Sequence, residues 1–359
     1  MSSNFFLKSF RILLLPFALL YAMIIAIRNW MYDKNVLKSA SFSFPLICVG
    51  NLAVGGTGKS PMAEYLICLL KEHYKVATLS RGYKRKTKGY ALANRSSTAL
   101  EIGDEPMQFY LKFPDIPIAV GEERLVAIPQ LLHDKPGTDV IILDDAFQHR
   151  SVKAGLNILL TECKNLFTRD FYLPTGDLRD LKSQYKRADI IVVTKCDPAI
   201  SLNEKEKITA EMRLLPKQSI YFAAFKYGEI YHILNKTRFE LKEDTQVLLV
   251  TGIANPEPLK EWIEANSYSY HLLQYADHHI FNIDDLKEIR KKFATINTDN
   301  KIVLTTEKDA VRLVKFNSAM DNLPLYVVPV EHSFLFDQKQ QFDQQVVDFV
   351  QRFKKQEAV

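Results

Sequence analysis

The rhythm of apolar and polar positions changes along this chain, and each change predicts a different kind of structure. Residues 12–27, ILLLPFALLYAMIIAI, carry no charge. From there to about residue 225, short apolar runs alternate with helix-like segments, at 46–49, 75–79, 117–120, 139–143, 156–160, 189–193 and 219–224. Runs that are apolar throughout belong to strands buried on both faces. Their alternation with helices predicts a mostly parallel sheet with helices on both sides. Residues 227–240, YGEIYHILNKTRFE, are more polar and lack a long helical pattern, which suits a hairpin-like bridge. A second alternating series follows, with strands expected at 246–250, 268–273, 301–305 and 325–328. An amphipathic helix at 338–355 is expected to pack on this second unit. The predicted organisation is an N-terminal helix within 1–35, an α/β unit over 36–225, a bridge over 226–242 and a smaller α/β unit over 243–359.

As a helix the uncharged run would rise about 24 Å, short of a hydrocarbon core of roughly 30 Å. It reads as a tilted or shallow membrane helix, or else as a buried core helix. Pro16 lifts one backbone hydrogen bond, a defect that membranes tolerate. Lys8, Arg11 and Arg28 supply basic flanks, and Tyr21, Trp30 and Tyr32 suit the headgroup zone. No small-x-small cleavage site follows residue 27, which argues against a secretory signal peptide.

With 359 residues, 47% apolar and 25% charged, the chain can bury a sizeable core, which excludes a disordered or low-complexity polymer. Its net charge of +5 is concentrated. Residues 1–40 carry five Lys or Arg against Asp33, and residues 73–100 carry seven and no acid, so the remainder is about −6. A nucleic-acid binder spreads its basic face over the fold. Two local basic blocks point instead to anions met at particular places, and no nucleic acid is expected as a partner. Cys48, Cys68, Cys163 and Cys196 are scattered and mostly flanked by apolar residues, as reduced core thiols of a cytosolic fold are.

The sharpest chemical signal follows the first expected strand, where GNLAVGGTGKSP runs into the helix-like MAEYLICLLKEH. This is a P-loop between strand and helix. Glycines at Gly55, Gly56 and Gly58 let the backbone of Ala53, Val54, Gly55, Gly56, Thr57 and Gly58 wrap a β-phosphate, while the helix adds its amino-terminal dipole. Lys59 would reach the β and γ oxygens and Ser60 would ligate magnesium. Ala53 stands where the strict pattern has Gly, which removes φ freedom but not space. The run at 139–143 ends in Asp144 and Asp145, the acidic strand end that P-loop proteins set beside Mg2+. Which of the two touches the metal is open, and a pair of solvated strand-end acids is the plain alternative. The expected fold class is thus α/β and P-loop NTPase-like, with a second α/β unit and an N-terminal membrane helix. Thr194-Lys195-Cys196-Asp197 imitates the guanine-reading motif of GTPases, in which Asp bonds the base and Lys stacks on it, although Asn is usual in first place. It keeps a membrane-anchored GTPase or ATPase switch acting on a protein partner in view, with a solvated strand end as the plain alternative.

Taken together, VGNLAVGGTGKSP (49–61), SRGY (80–83), GDEP (103–106), DDAFQHR (144–150), LPTGDLRD (173–180), GIANP (252–256), DHH (277–279) and TEKDAVRL (306–313) resemble the tetraacyldisaccharide 4'-kinase family along nearly the whole chain. Most are weak alone; the set is specific. Ala146 departs from the family's DDGFQH, narrowing that turn without removing a reactive group. The resemblance implies ATP-dependent, magnesium-assisted phosphorylation of the 4'-hydroxyl of a tetraacylated glucosamine disaccharide 1-phosphate, a step of lipid A biosynthesis. It implies tethering by the N-terminal helix to the cytosolic face of the inner membrane, and no protein partner is expected.

The resemblance also implies that Asp104 of GDEP and His278 of DHH form a dyad for the hydroxyl proton, and leaves open which takes it. One lies in each unit, which predicts a site in the cleft between them. The plain readings are a helix N-cap for Asp104 and, for Asp277 and His278, a polar loop before a helix capped by Asn282. Gln148 and His149 are expected either to border the nucleotide or acceptor or to be structural. SRGYKRKTKGY follows a strand and so falls at the ligand end of the sheet. There Arg81, Lys84, Arg85, Lys86 and Lys88 are candidates for the acceptor's phosphate or acidic headgroups, each worth roughly 1 kcal/mol near a membrane, or else they form a solvated loop.

Overall fold

The computed structural model describes residues 11–277, 279–319 and 323–357, leaving aside the side chains of 317–319 and 354–357. A 3-10 turn, Ile12–Leu14, leads into α1 (Leu15–Asp33). The first unit runs through β1 (Leu46–Asn51), α2 (Lys59–Leu70), β2 (Val76–Ser80), β3 (Ala91–Leu92), α3 (Asp104–Lys112), β4 (Ile118–Val120), α4 (Arg124–Asp134), β5 (Val140–Asp144), β6 (Leu156–Glu162), β7 (Ile190–Thr194), α5 (Leu202–Met212) and β8 (Ser219–Tyr227). The second contains β9 (Ile230–His232), β10 (Arg238–Phe239), β11 (Gln246–Thr251), α6 (Glu257–Asn266), β12 (Ser269–Gln274), α7 (Ile283–Ala294), β13 (Lys301–Thr306), α8 (Glu307–Leu313) and β14 (Leu325–Val328). The chain ends with β15 (Val330–Phe334) and α9 (Lys339–Glu357).

Nine strands in the order β15-β8-β7-β6-β1-β5-β2-β4-β3 make the first sheet, parallel except at its two edges, β15 and β3. The continuous apolar runs serve both faces, as their lack of polar alternation requires. In β1, Leu46 and Cys48 enter the layer that α4 and α5 cover with Ile128, Leu131, Ile208 and Met212. Ile47 and Val49 enter the opposite layer, with Met62 and Leu66 of α2. The second sheet, β10-β9-β14-β13-β11-β12, repeats the arrangement: Leu248 and Val250 face α7, and Val247 and Leu249 face α6. Parallel sheets gather ligands at the carboxyl ends of their strands.

Two expectations are corrected. Residues 226–242 are not a bridge, because β9 and β10 pair antiparallel as the edge of the second sheet. The units are joined instead by a two-stranded ribbon, in which β8 runs outward and β15 returns beside it, Tyr227 opposite Val330 and Ala223 opposite Phe334. The final helix therefore does not pack on the second unit. α9 buries Phe342, Val346, Phe349 and Val350 in the first unit's core beside α2, at about 1.5–3 kcal/mol for each fully buried large side chain. Residues 330–357 thus return to the first body rather than completing a unit over 243–359. An amphipathic stripe shows that a face is buried, but not against what.

α1 is docked along the first unit by polar groups. Tyr21 donates to the Arg179 carbonyl (3.1 Å), Arg28 to the Gln148 carbonyl (3.0 Å) and Asn29 to Asp180 (2.8 Å). Arg150 donates to the Asn29 carbonyl (2.9 Å) and pairs with Asp33 (2.5 Å). Leu13, Phe17, Leu20, Ile24 and Ile27, spaced three and four apart on the other side, are exposed. A buried core helix would place these large side chains inward.

Candidate active site

β1 delivers the chain into the glycine loop, and Gly58 closes it as the N-cap of α2 with φ 88°. A Cβ there would also meet the His332 ring at 3.0 Å, so conformation and space both require glycine. Ala53 lies in an antiparallel bridge to Leu178, and Val54 N–H donates to the Asp177 carbonyl (2.7 Å). No left-handed φ is needed at Ala53, which explains why alanine serves. Asn51 donates to the Thr57 hydroxyl (2.9 Å), and the Thr194 hydroxyl donates to the Thr57 carbonyl (2.9 Å), strapping the loop to two strand ends. Lys59 and Ser60 open α2. Lys59 Nζ lies 3.3 Å from the Gly55 carbonyl and 3.8 Å from Asp145 Oδ1, and burial lowers its pKa.

The acidic turn packs directly on this loop. A Cβ on Gly50 would approach Phe147 Cβ at 2.5 Å, so β1 carries glycine where the turn crosses it. Asp145 itself takes the left-handed conformation (φ 47°), which leaves Ala146 free of that demand. Arg179 pairs with both oxygens of Asp145, Nη1 to Oδ2 at 3.1 Å, and also donates to Asn51 Oδ1 (2.6 Å). Burial alone would raise the Asp145 pKa, but Lys59 and Arg179 outweigh it and hold the group below the ordinary carboxylate value. Asp144 is different: burial, then the charge of Asp145, push it up to about 7. Its buried Oδ1 has no hydrogen-bond partner among the described residues. An orphaned carboxylate oxygen at the end of the strand that pairs with β1, Asp144 opposite Val49, fits a hard cation, and magnesium usually takes one or two carboxylates and completes its shell with phosphate and water. Among the described residues no group of three or more His, Cys, Asp or Glu side chains forms a metal cage.

α3 begins at Asp104 itself, with Gly103 as N-cap at φ 98°, so Asp104 is the first helical residue rather than the cap. Its carboxylate pairs with Arg312 of α8, and Arg312 Nη1 also reaches the His279 carbonyl at 3.4 Å. One guanidinium thus connects Asp104 of the first unit to the 277–279 loop of the second. In that loop Asp277 pairs with Lys308 (3.0 Å), while His279 Nε2 lies 2.8 Å from Asp285 and its ring stacks on Tyr275. His278 lies outside the described residues. Glu105, beside Asp104, exerts its charge on both Lys59 and Asp144. The N-terminus of α3 therefore faces the P-loop and the acidic turn.

Other expected residues separate into bracing and exposed groups. Gln148 donates its side-chain amide to the Asn51 carbonyl (2.7 Å), bracing the strand end. Burial, then Arg124 and Arg81, push the His149 pKa down to about 4, so its ring is neutral. Arg81, Lys84, Lys86 and Lys88 are exposed. Arg85 is not available to an anion: its side chain is 2% exposed, pairs with Glu122 (2.6 Å) and donates to the Gly89 carbonyl, closing its own loop.

Three residues escaped the sequence reading. Arg179 and Arg312 stood inside LPTGDLRD and TEKDAVRL without a role, and both proved to hold carboxylates of the site. His332 gave no signal at all. β15 brings it behind the glycine loop, with Nε2 2.9 Å from the Gly58 carbonyl and its ring 5.2 Å from that of Phe225. A carbonyl only accepts, so Nε2 carries the proton. Burial pushes the His332 pKa down to about 4, and its buried Nδ1 has no partner among the described residues.

Over residues 10–351 the chain matches the family described as LpxK: Tetraacyldisaccharide-1-P 4'-kinase. The relative named tetraacyldisaccharide 4'-kinase from Flavobacterium psychrophilum is 46% identical over 346 residues, covering 94% of this chain and 96% of its own. The one of the same name from Flavobacterium johnsoniae is 44% identical over 342 residues, covering 95% and 97%. Among solved structures, LpxK from Aquifex aeolicus in complex with ATP superposes with a TM-score of 0.73 at 27% identity, covering 95% of this chain and 99% of that one.

Proposed function

The chain belongs to the tetraacyldisaccharide-1-P 4'-kinase family, and from that premise we infer that it transfers the γ-phosphate of ATP to the 4'-hydroxyl of a tetraacylated glucosamine disaccharide 1-phosphate, a step of lipid A biosynthesis. The observation that carries the reading at the level of residues is convergence. The loop led by Lys59 meets the acidic pair at the end of β5, and Asp104, held by Arg312 from the second unit, adjoins Glu105, whose charge acts on both Lys59 and Asp144.

Phosphoryl transfer asks the protein for positioning, charge neutralisation and a proton acceptor. The amides of 53–58 and the N-terminus of α2 receive the phosphates. Lys59 neutralises β and γ oxygens, and its proximity to Asp145 keeps the ammonium aimed at the acidic turn. The Ser60 hydroxyl and Asp144 would hold magnesium, which would add positive charge against the developing phosphate charge. Asp145, already neutralised by Arg179, orients Lys59. Asp104 and His278 take the hydroxyl proton between them, with Arg312 fixing the carboxylate of Asp104. Arg81 and Lys84 meet the acceptor's phosphate, and the neutral ring of His149 borders them.

α1 supports a membrane placement of the same site. Its polar face is committed to the 148–150 and 177–180 segments, while the stripe from Leu13 to Ile27 faces outward. That stripe lies in the cytosolic leaflet of the inner membrane and holds the cleft at the surface where an acylated sugar is found. The reading is tested by ATP consumption in mild detergent with and without the monophosphorylated disaccharide. Turnover that needs the lipid supports it; GTP-preferring or lipid-independent turnover overturns it in favour of a nucleotide switch.

A further inference from the structure

The helix that begins at Asp104 is gripped along one face. Asp104, Gln108 and Lys112 are four residues apart, so they share a side of α3. At the start of that side Asp104 pairs with Arg312, near the end of α8. At its far end Lys112 lies 2.7 Å from Glu307, the first residue of α8. The two helices therefore lie antiparallel with an ion pair at each end, and Met107 and Val311 share one buried apolar cluster.

The Lys112 ammonium also reaches a third helix. It lies 2.5 Å from Glu64 Oε2 on α2, and Gln108 donates to Glu64 Oε1 at 2.7 Å. Glu64 stands about one turn beyond Ser60, on the helix into which the phosphate loop opens. The Tyr231 hydroxyl donates to Glu307 at 3.2 Å. The side chains of Glu64 and Glu307 are only 5% and 8% exposed, so the lysine joins two desolvated carboxylates. Apolar contacts are non-directional and let one helix slide along another. A buried acid–base–acid node does not, because sliding would part charges that water cannot reach.

We propose that Lys112 is a positioning residue for phosphoryl transfer: by joining Glu64 to Glu307 it sets the register of α2, α3 and α8, and with it the place of the Asp104 carboxylate relative to Lys59. The role rests on the kinase reading. Lys112 touches neither nucleotide nor acceptor and acts through the helix that carries Asp104.

Lys112→Met alone strands two buried carboxylates without a counter-charge and threatens the fold, so the test is made in a neutral background. In Glu64→Gln/Glu307→Gln the lysine still donates to both amide oxygens, and kcat on the disaccharide in mild detergent stays within about threefold of wild type. Adding Lys112→Met lowers kcat about 100-fold, the cost of misplacing a reacting group by roughly 1 Å. The ATP Kd by calorimetry and the KM for lipid stay within about twofold, and Tm stays within about 4 °C of the double variant. A triple variant as fast as the double, a double already as slow as the triple, ATP affinity falling in step with kcat, or a triple variant that does not fold overturns the positioning role. Wild-type protein inactive on the disaccharide sinks the kinase reading and this role with it; active wild type beside an equally active triple variant sinks the role alone.

Discussion

His332 offers a test in which stability and nucleotide binding should part company. His332→Phe keeps the ring's volume but deletes both nitrogens; His332→Gln restores an N–H near the position of Nε2. The Gly58 carbonyl that His332 bonds at 2.9 Å also accepts the Met62 N–H at 3.1 Å, so the phenylalanine variant does not orphan it. The loss is then one net hydrogen bond, about 0.5–1.5 kcal/mol, rather than a full desolvation penalty. If that bond holds the loop in its phosphate-binding shape, ATP affinity falls roughly 2- to 12-fold. Removing Nδ1, buried without a partner among the described residues, works the other way on stability and returns on the order of 1 kcal/mol. The phenylalanine variant should therefore bind ATP more weakly by calorimetry while its net stability stays within about 0.5 kcal/mol of wild type, and glutamine should recover the affinity. ATP binding equal to wild type, or affinity and Tm falling together, would refute the loop-positioning role.

Asp104→Asn should lower kcat by about 10²–10⁴ and leave the ATP Kd within about twofold; a fully active variant removes Asp104 from proton transfer. Glu64 on α2 is bonded by Lys112 (2.5 Å) and Gln108 (2.7 Å), and Lys112 also pairs with Glu307 of α8 (2.7 Å). Burial, then the charge of Glu307, raise its pKa from 4.5 to about 7, so its contribution to stability is present below 4.5 and lost as pH rises through 7. The raised pKa of Lys112 adds a contribution that stays constant across this range. Glu64→Gln should thus gain on wild type in thermal unfolding between pH 5 and pH 8; an equal difference at both pH values contradicts the assignment. Leu20→Asp with Ile24→Asp should reduce binding to anionic vesicles and raise the KM for lipid without changing that for ATP, and unaltered vesicle binding would count against the placement of α1.

Much of this was legible because the chemistry was local. The P-loop lies within one strand–turn–helix, and most of the parallel strands of both sheets announced themselves as short apolar runs, from 46–49 through 325–328. What was hidden depended on distant partners. VEHSF reads as an unremarkable polar stretch, yet pairing with β8 makes it the return strand that carries His332. The stripe of Phe342, Val346, Phe349 and Val350 was visible, but nothing local told which unit would receive it. Arg312 meets Asp104 across 208 residues. Arg85 counted as a basic side chain in the sequence, and only the nearby Glu122 removes it from the surface. In α1 the uncharged run concealed a docking face made by single polar residues such as Tyr21 and Asn29.

The central claim concerns one bond, from γ-phosphorus to the 4'-oxygen. Protein incubated with γ-labelled ATP and the disaccharide 1-phosphate should yield a bis-phosphorylated lipid whose label survives mild acid, because a 4'-phosphate is an ordinary ester while a 1-phosphate is glycosidic and acid-labile. Lys59→Ala should yield no labelled lipid. Label released by mild acid, or found only in nucleotide and free phosphate, would contradict the account.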